Sequence, residues 1–223
     1  MSRILTANLF IDWDSASRIT NESKLKNNDL PLPIIEREIN NTYSMLRERV
    51  IEKTQELIGN DRLKITKTRL YHGWHMGTTA TRHRIAWENL KPSFRTIIRG
   101  SISYLPDIEF GNELLCKGNR VPIYNTLRER ERKPARKQDP KEYQQKMVDT
   151  ALVADLLSYS RTESRNFRRD EKPASMAIVI GDDDDLLPGA FVAEAWGLPI
   201  YVYRISRSFD SKHINTDGMI HRI

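Results

Sequence analysis

Cysteine is almost absent from this chain of 223 residues, which contains only Cys116. A single cysteine cannot form a disulfide within the chain, and proteins without disulfides are typical of reducing compartments. We therefore expect a cytoplasmic protein whose stability comes from a hydrophobic core. Hydrophobic residues make up 39% of the chain, which is enough for such a core.

Long apolar segments are also missing. No stretch approaches the roughly 20 consecutive apolar residues that a transmembrane helix requires. The N-terminal residues MSRI lead directly into a short strand-like run and leave no room for a signal peptide. The sequence therefore predicts a protein with no membrane partner.

Several glycine-containing signatures of enzyme sites are absent as well. The chain contains no Gly-x-x-x-x-Gly-Lys-Ser/Thr loop, no Gly-x-Ser-x-Gly turn and no Gly-x-Gly-x-x-Gly loop. These motifs bind nucleotide phosphates, present a nucleophilic serine and bind dinucleotides, respectively. Nothing in the sequence therefore supports nucleotide hydrolysis, serine hydrolysis or dinucleotide binding.

Short apolar runs alternate with helical patterns over much of the chain. The runs predicted to form strands are residues 4–11, 62–71, 176–180 and 199–205. The segments predicted to form helices are residues 34–58, 140–159 and 188–197, with a further helix around residues 80–98. Strands separated by helices are typical of a mostly parallel sheet with helices on both faces. We therefore predict one α/β domain with three layers, α/β/α, over residues 1–223.

The boundaries of three other segments are less regular. Residues 15–33 are polar, contain Pro-Leu-Pro and are expected to form a loop. The helix at 140–159 is expected to begin after Asp139, a favourable N-cap, because Pro140 suits the first helical position and Glu142 completes a capping box. Residues 73–125 are interrupted by prolines and glycines and are interpreted as an insertion that shapes a substrate surface.

Acidic side chains follow two of the predicted strands. Asp12 and Asp14 come directly after the first strand, and residues 182–185 (DDDD) follow the third. Ligands of parallel sheets bind outside the carboxyl ends of the strands. We therefore expect these groups to lie close together at one edge of the sheet.

Two further aspartates, Asp149 and Asp155, lie inside an apolar predicted helix. Aspartate is unfavourable within a helix, and a buried carboxylate needs a cation or strong hydrogen bonds. Their separation corresponds to about 240° around a helix, so they do not share a face. One is expected to lie in the acidic site and the other to be bonded elsewhere.

A cluster of carboxylates predicts a metal site. Gathering several carboxylates raises the pKa of each and destabilises the fold unless a cation neutralises them. Oxygen-only ligands favour hard ions, so the sequence predicts Mg²⁺ or Mn²⁺. Such an ion can hold a phosphodiester and lower the pKa of an attacking water.

Basic residues are concentrated in two short segments. Residues 128–137 (RERERKPARK) hold six basic and two acidic residues, and residues 161–169 (RTESRNFRR) hold four basic and one acidic. Such concentrations suit phosphate backbones, because each contact releases condensed counterions. The side chains predicted to bind nucleic acid are Lys146, Arg128, Arg130, Arg132, Lys133, Arg136, Lys137, Arg161, Arg165, Arg168 and Arg169.

Three segments together resemble the NYN branch of the PIN-like nucleases. Residues 10–15 (FIDWDS) resemble the first motif of that family, and residues 145–157 (QKMVDTALVADLL) resemble its central helix. Residues 180–188 (IGDDDDLLP) resemble its third motif, Asp-x-Asp-Leu-x-Pro. The resemblance does not extend to residues 73–125.

The resemblance implies a PIN-like fold and a nuclease that depends on Mg²⁺ or Mn²⁺ and usually cleaves RNA. The first motif and the central helix assign catalytic and metal-binding roles to Asp12 and Asp149, and alignment of the third motif on Leu186 and Pro188 adds Asp183 and Asp185. Secondary candidates are Asp14, as a water-mediated ligand, Ser15, Asp155 and Asp182. The chain departs from the family at Ser15, where asparagine is usual, and at Asp184, where a small residue is usual.

Other functions fit part of the sequence. A HAD-type phosphohydrolase would use Asp12 as a covalent nucleophile and Asp14 as a general acid, but it leaves the aspartates of the central helix unexplained. A non-catalytic RNA-binding module would use the two basic segments without the acids. A zinc site formed by His72, His75 and His83 has weaker support, because no cysteine pair accompanies them.

Overall fold

Among the described residues, eight strands form a central sheet, and helices cover both of its faces. A computed structural model of the chain describes residues 4–20, 30–59, 61–111, 127–129, 143–145, 147–164, 173–205 and 218–223. The strands in chain order are β1 (Ile4–Asp12), β2 (Arg62–Tyr71), β3 (His75–Met76), β4 (Thr79–Ala80), β5 (Ile97–Arg99), β6 (Ile102–Tyr104), β7 (Ile108–Phe110), β8 (Leu127–Glu129), β9 (Tyr143–Gln145), β10 (Ser175–Ile180), β11 (Ile200–Arg204) and β12 (Ile220–Arg222). The helices are α1 (Trp13–Ala16), α2 (Leu32–Ile58), α3 (Arg82–Leu90), α4 (Val148–Ser164) and α5 (Leu187–Ala195).

The sheet is mostly parallel. Its strand order is β12-β11-β10-β1-β2-β6-β5, and β7 pairs with the second half of β2. The pairings within this sheet are parallel except for that between β5 and β6. The hairpins β3–β4 and β8–β9 lie outside it. The predicted three-layer α/β/α class is therefore confirmed, and the four predicted strands correspond to β1, β2, β10 and β11.

Side chains of the central strands alternate between two cores. On β1, Leu9 and Ile11 belong to the core under α2 and α3, whereas Phe10 belongs to the core under α4 and α5. On β10, Ile178 faces the first core and Val179 the second. Strand side chains alternate with a period of two, so strands that are apolar throughout need a helical layer on each face.

The long helix α2 packs on the first face through a stripe of apolar residues. The members of this stripe are Ile35, Ile39, Tyr43, Leu46 and Val50, and all are buried. Their spacing of three and four residues is that of one helix face. The predicted helices at 34–58 and 188–197 are therefore confirmed as α2 and α5.

The segment after β1 differs from its prediction as a loop. Residues 13–16 form α1 and residues 17–20 a 3₁₀ turn. The helical turn begins because the carboxylate of Asp12 accepts hydrogen bonds from the backbone N–H groups of Asp14 and Ser15. Trp13 is buried in the first core and anchors the turn there.

The helix predicted at 140–159 begins later than expected. Residues 143–145 form β9 and pair with β8, whereas α4 begins at Val148 and continues to Ser164. Met147 has a φ of 60°, a left-handed conformation that separates the strand from the helix. The predicted cap at Asp139 and Pro140 lies outside the described residues. Asp149 therefore lies in the first turn of α4 and not in mid-helix. An acidic side chain is favoured in the first turn of a helix.

Residues 73–111 contribute to the core of the domain. Two of their strands, β6 and β7, join the central sheet next to β2. Trp74, Trp87 and Phe94 are buried in the first core. The helix expected around residues 80–98 is shorter, because α3 ends at Leu90 and β5 follows. Residues 112–126 lie outside the described part of the chain.

No helix within the described ranges is both long enough and apolar enough to cross a lipid bilayer.

Candidate acidic site

The site lies where β1 and β10 end beside each other. The two strands are parallel and paired up to their last apolar residues, so Asp12 and Gly181 occupy neighbouring positions. The acidic turn of residues 182–185 therefore begins beside Asp12. A Cβ at position 181 would lie 2.5 Å from Leu186 Cδ1, so any larger residue there would displace the buried Leu186 side chain.

Asp12 is buried, with only 6% of its surface exposed. Its Oδ1 accepts a hydrogen bond of 3.1 Å from the N–H of Asp14, and its Oδ2 accepts from the N–H and the hydroxyl of Ser15. Burial raises the pKa of Asp12 from 3.8 to about 7; the Ser15 hydrogen bond opposes this effect, and the charges of Asp14 and Asp149 add to it. Binding a proton or a cation at Asp12 would therefore relieve an electrostatic cost.

Asp149 approaches the same place from the first turn of α4. It is half-buried, and burial raises its pKa above the ordinary value of an aspartate. The negative charges of Asp183, Asp185 and Asp14 raise this pKa further. The structure thus brings together Asp12, Asp14 and Asp149 with two members of the acidic turn, from three elements that are distant in sequence.

The four aspartates of the turn separate into two pairs. Asp182 is buried, and its Oδ1 accepts a hydrogen bond of 2.8 Å from the N–H of Ile205. Asp184 accepts a hydrogen bond of 2.7 Å from Arg204. Asp183 and Asp185 are exposed, as is Asp184, but these two are the residues of the turn whose charges raise the pKa of Asp149. Asp182 and Asp184 therefore hold the turn in place, whereas Asp183 and Asp185 supply the charges of the site.

Ser15 links the two acidic segments. Its hydroxyl donates to Asp12 Oδ2, and its oxygen accepts a hydrogen bond of 3.1 Å from the backbone N–H of Asp182. One small side chain therefore joins the end of β1 to the start of the acidic turn.

Asp155 lies away from the acidic cluster. It is buried and accepts a hydrogen bond of 2.8 Å from the hydroxyl of Tyr71. Burial raises its pKa, whereas the Tyr71 hydrogen bond and the positive charge of Arg69 lower it. The two helical aspartates therefore separate as expected, with Asp149 in the cluster and Asp155 bonded to the neighbouring strand.

Two arginines of the site were not identified from the sequence. Arg18 forms an ion pair of 3.2 Å with Asp14 and lies 3.6 Å from Asp182 Oδ2. Arg204 is buried at the end of β11 and contacts the acidic turn. The signals are present in the sequence: Arg18 is four residues after Asp14, and Arg204 is the only charged residue in the apolar run 199–205.

The donor set fits a hard divalent ion in its chemistry. Within the described residues, no lysine or arginine pairs with Asp12, Asp149, Asp183 or Asp185, and all four offer carboxylate oxygens. No group of three or more His, Cys, Asp or Glu side chains in this part of the chain is already arranged closely enough to hold an ion.

The histidines considered for zinc occupy the interior near β2. His72 and His83 lie with their ring centroids 5.3 Å apart. Burial and the neighbouring ring hold the pKa of His72 well below its ordinary value, so it is neutral at physiological pH. In the ranges that the structure covers, these two residues and His75 do not form a metal-binding group.

The basic segments are described only in part. Arg161 is exposed on α4, and Arg128 lies in β8, where the backbone alone is described. β8 and β9 pair with each other, and Asp149 follows four residues after β9. The remaining candidates lie outside the described residues, namely Lys146, Arg130, Arg132, Lys133, Arg136, Lys137, Arg165, Arg168 and Arg169.

The chemistry of the site and the fold that positions it are the basis for inferring a function. The features that carry such an inference are buried Asp12, the charges of Asp14 and Asp149 that act on it, and the charges of Asp183 and Asp185 that act on Asp149. No family model matches the chain, and neither the curated proteins nor the solved structures contain one that is significantly similar to it.

Proposed function

We propose that this protein is a cytoplasmic, divalent-metal-dependent endoribonuclease of the NYN branch of PIN-like nucleases. The observation that carries the proposal is the convergence of Asp12, Asp149 and the acidic turn at the carboxyl edge of a parallel sheet. This edge is where such sheets bind their ligands. A cluster of this kind is unfavourable without a cation, so its presence in a stable fold supports a metal-binding role.

The metal would be Mg²⁺ or Mn²⁺, held by oxygens of Asp12, Asp149, Asp183 and Asp185. When bound, the ion lowers the pKa of a water and stabilises charge on the phosphate. The chain itself orients the ligands: backbone N–H groups and the Ser15 hydroxyl fix both oxygens of Asp12. Asp149 is held on the first turn of α4, where its carboxylate faces the turn of residues 182–185.

The proposed substrate is RNA, in single-stranded or structured form. Hydrolysis adds the oxygen of water to phosphorus, breaks one P–O ester bond and gives a proton to the departing oxygen. A polyanionic substrate needs cations beside the acidic cluster, and the basic segments 128–137 and 161–169, together with Lys146, supply them. The place of the first segment in the chain suits this role, because it begins in β8, β8 pairs with β9, and Asp149 follows β9 by four residues.

Cleavage of labelled single-stranded RNA and of DNA of the same sequence tests the proposal. Wild type and Asp12→Asn would be assayed with Mn²⁺, with Mg²⁺ and with EDTA. Asp107→Asn is the matched control, because Asp107 is an exposed aspartate that lies near Lys67 and outside the acidic cluster. We expect metal-dependent RNA cleavage by wild type and the control, and none by Asp12→Asn.

Two results would contradict this expectation. Undiminished cleavage by Asp12→Asn would remove the acidic cluster from the reaction. Salt-sensitive RNA binding by wild type without cleavage in either metal would instead identify a non-catalytic RNA-binding module. Circular dichroism of both variants establishes that any loss of activity does not come from unfolding.

A further inference from the structure

One buried arginine donates two hydrogen bonds to the turn of four aspartates. Arg204 is 3% exposed at the end of β11, and its Nη1 donates a hydrogen bond of 2.7 Å to the backbone carbonyl of Asp182. Its Nη2 donates a hydrogen bond of 2.7 Å to Oδ1 of Asp184. The backbone N–H of Ile205 donates to Oδ1 of Asp182 over 2.8 Å. Arg204, the last residue of β11, and Ile205, which follows it, thus make three hydrogen bonds to the turn.

These bonds determine which aspartates are left for the site. Asp182 and Asp184 are both bonded to the end of β11, whereas Asp183 and Asp185 make no such bond and add their charges to the surroundings of Asp149. Asp183 Oδ1 accepts a hydrogen bond of 3.1 Å from the N–H of Asp185, which keeps these two residues together in the same turn.

A planar guanidinium is suited to this task. It presents N–H donors in a fixed fork and can therefore hold a carbonyl and a carboxylate at once. Lysine offers a point charge on a flexible chain and does not impose the same geometry. Arg204 also pairs its positive charge with the carboxylate of Asp184, which offsets part of the negative charge of the turn.

We infer that Arg204 is a positioning residue for the acidic site, because its bonds to Asp182 and Asp184 direct Asp183 and Asp185 toward Asp149. This inference rests on the proposed metal-dependent function. It adds a requirement that the three resembling motifs do not contain, since Arg204 lies on the following strand. Groups that orient metal ligands typically change metal affinity or activity 10- to 100-fold when they are removed.

The test compares Mn²⁺ affinity with cleavage in Arg204→Met and Arg204→Lys. Mn²⁺ binding is measured by calorimetric titration of the full chain without substrate, and cleavage under single-turnover conditions. We expect Arg204→Met to weaken Mn²⁺ binding about 10- to 100-fold. Arg204→Lys should recover only part of this loss, because lysine keeps the charge without the fork.

Arg47→Met is the control for a purely structural effect. Arg47 is also a buried arginine. It donates a hydrogen bond to the carbonyl of Arg95 and lies over the ring of Tyr43, in the core under α2 and α3. Its replacement should lower the thermal stability while leaving Mn²⁺ affinity and the cleavage rate as in wild type. Equal losses of affinity in Arg47→Met and Arg204→Met would overturn the inference.

Substitutions at Asp184 keep the inference testable if Arg204→Met does not fold. Asp184 is 58% exposed, so its variants should fold. Because Asp184 accepts a hydrogen bond from Arg204, Mn²⁺ binding should be kept in Asp184→Asn, which retains an oxygen acceptor. It should weaken in Asp184→Ala, which has none. Loss of Mn²⁺ binding in both Asp184 variants would make Asp184 a metal ligand. Unchanged Mn²⁺ binding in both variants would mean that the contact with Arg204 does not matter for the site. Either result overturns the inference. A wild type that binds no Mn²⁺ would refute the proposed function itself.

Discussion

The hydroxyl of Ser15 donates a hydrogen bond to Oδ2 of Asp12 while its oxygen accepts the backbone N–H of Asp182. The end of β1 and the acidic turn after β10 are therefore joined through a single buried atom. The side chain also lowers the pKa of Asp12 and partly offsets the effect of burial. Ser15 consequently influences both the position and the charge of the innermost carboxylate of the site.

Replacing Ser15 by alanine should affect stability and activity together. The change leaves the N–H of Asp182 buried without this acceptor, which costs about 1–3 kcal/mol of unfolding free energy. Because Asp12 also loses an orienting bond, we expect metal-dependent cleavage to fall by roughly 10- to 100-fold. Urea unfolding in EDTA and single-turnover cleavage in Mn²⁺ measure the two effects.

Ser17→Ala is the matched control for Ser15→Ala. Ser17 is also buried in the turn after β1, but its hydroxyl donates to the backbone carbonyl of Asp14 over 2.8 Å and does not contact Asp12. It should lose about 1 kcal/mol of stability and keep its activity. If both serine variants cleave RNA at the same rate, Ser15 has no part in the function of the site.

The raised pKa of Asp12 predicts how stability depends on pH in the absence of metal. Unfolded Asp12 titrates near 3.8 and folded Asp12 near 7, so the folded state binds the extra proton between these values. The stabilising contribution of this proton is complete below about pH 4 and is lost as the pH rises to about 7. A shift of this size corresponds to about 4 kcal/mol, with a slope of about 1.4 kcal/mol per pH unit.

Asp12→Asn isolates this contribution because asparagine does not titrate. In EDTA, we expect the variant to be less stable than wild type, or equal to it, near pH 4 and more stable near pH 8. The difference between the two unfolding free energies, measured in urea across this range, should change by several kcal/mol in favour of the variant. A difference that stays constant with pH would show that Asp12 has an ordinary pKa in the folded protein.

Changes at the two aspartates of α4 should separate stability from activity. Tyr71→Phe removes the hydrogen bond to buried Asp155 and should cost about 1–3 kcal/mol of stability without loss of cleavage. Asp149→Asn should abolish metal-dependent cleavage while the fold remains intact, because it reduces repulsion with Asp183 and Asp185. Chemical denaturation and RNA cleavage of both variants provide the comparison. A catalytically dead Tyr71→Phe would place Asp155 in the reaction.

The layer architecture was predictable because the central strands are apolar on both faces. Runs such as residues 4–11 and 176–180 stand out in the sequence, and their burial on both sides follows from parallel pairing. Strands β6 and β7 were not predicted, since each has only three residues and neither contains a complete alternating pattern. Their place in the sheet depends on pairing with β2, which is a long-range contact.

The acidic site was predictable in its members but not in its internal arrangement. Asp12 and the turn after β10 follow strands, so the topology alone brings them together. The start of α4 was misplaced because the capping signals at 139–142 are local, whereas β9 forms through pairing with β8. The single charge in the apolar run 199–205 marks Arg204 as unusual, but its partners on the acidic turn are known only from the fold.

The basic residues after α4 should act on substrate binding rather than on cleavage. Replacing Arg165, Arg168 and Arg169 by alanine should weaken RNA binding and reduce the slope of log K against log salt by about 2, since each lost phosphate contact contributes about 0.7 for a single strand. Fluorescence anisotropy of labelled RNA, with Asp12→Asn in the background to prevent cleavage, gives this slope. Alanine at the exposed residues Arg62, Lys64 and Arg99 removes the same charge elsewhere and is the control. Equal slopes for the two triple variants would mean that the segment acts only through net charge, whereas a lower slope confined to the first identifies it as part of the RNA-binding surface.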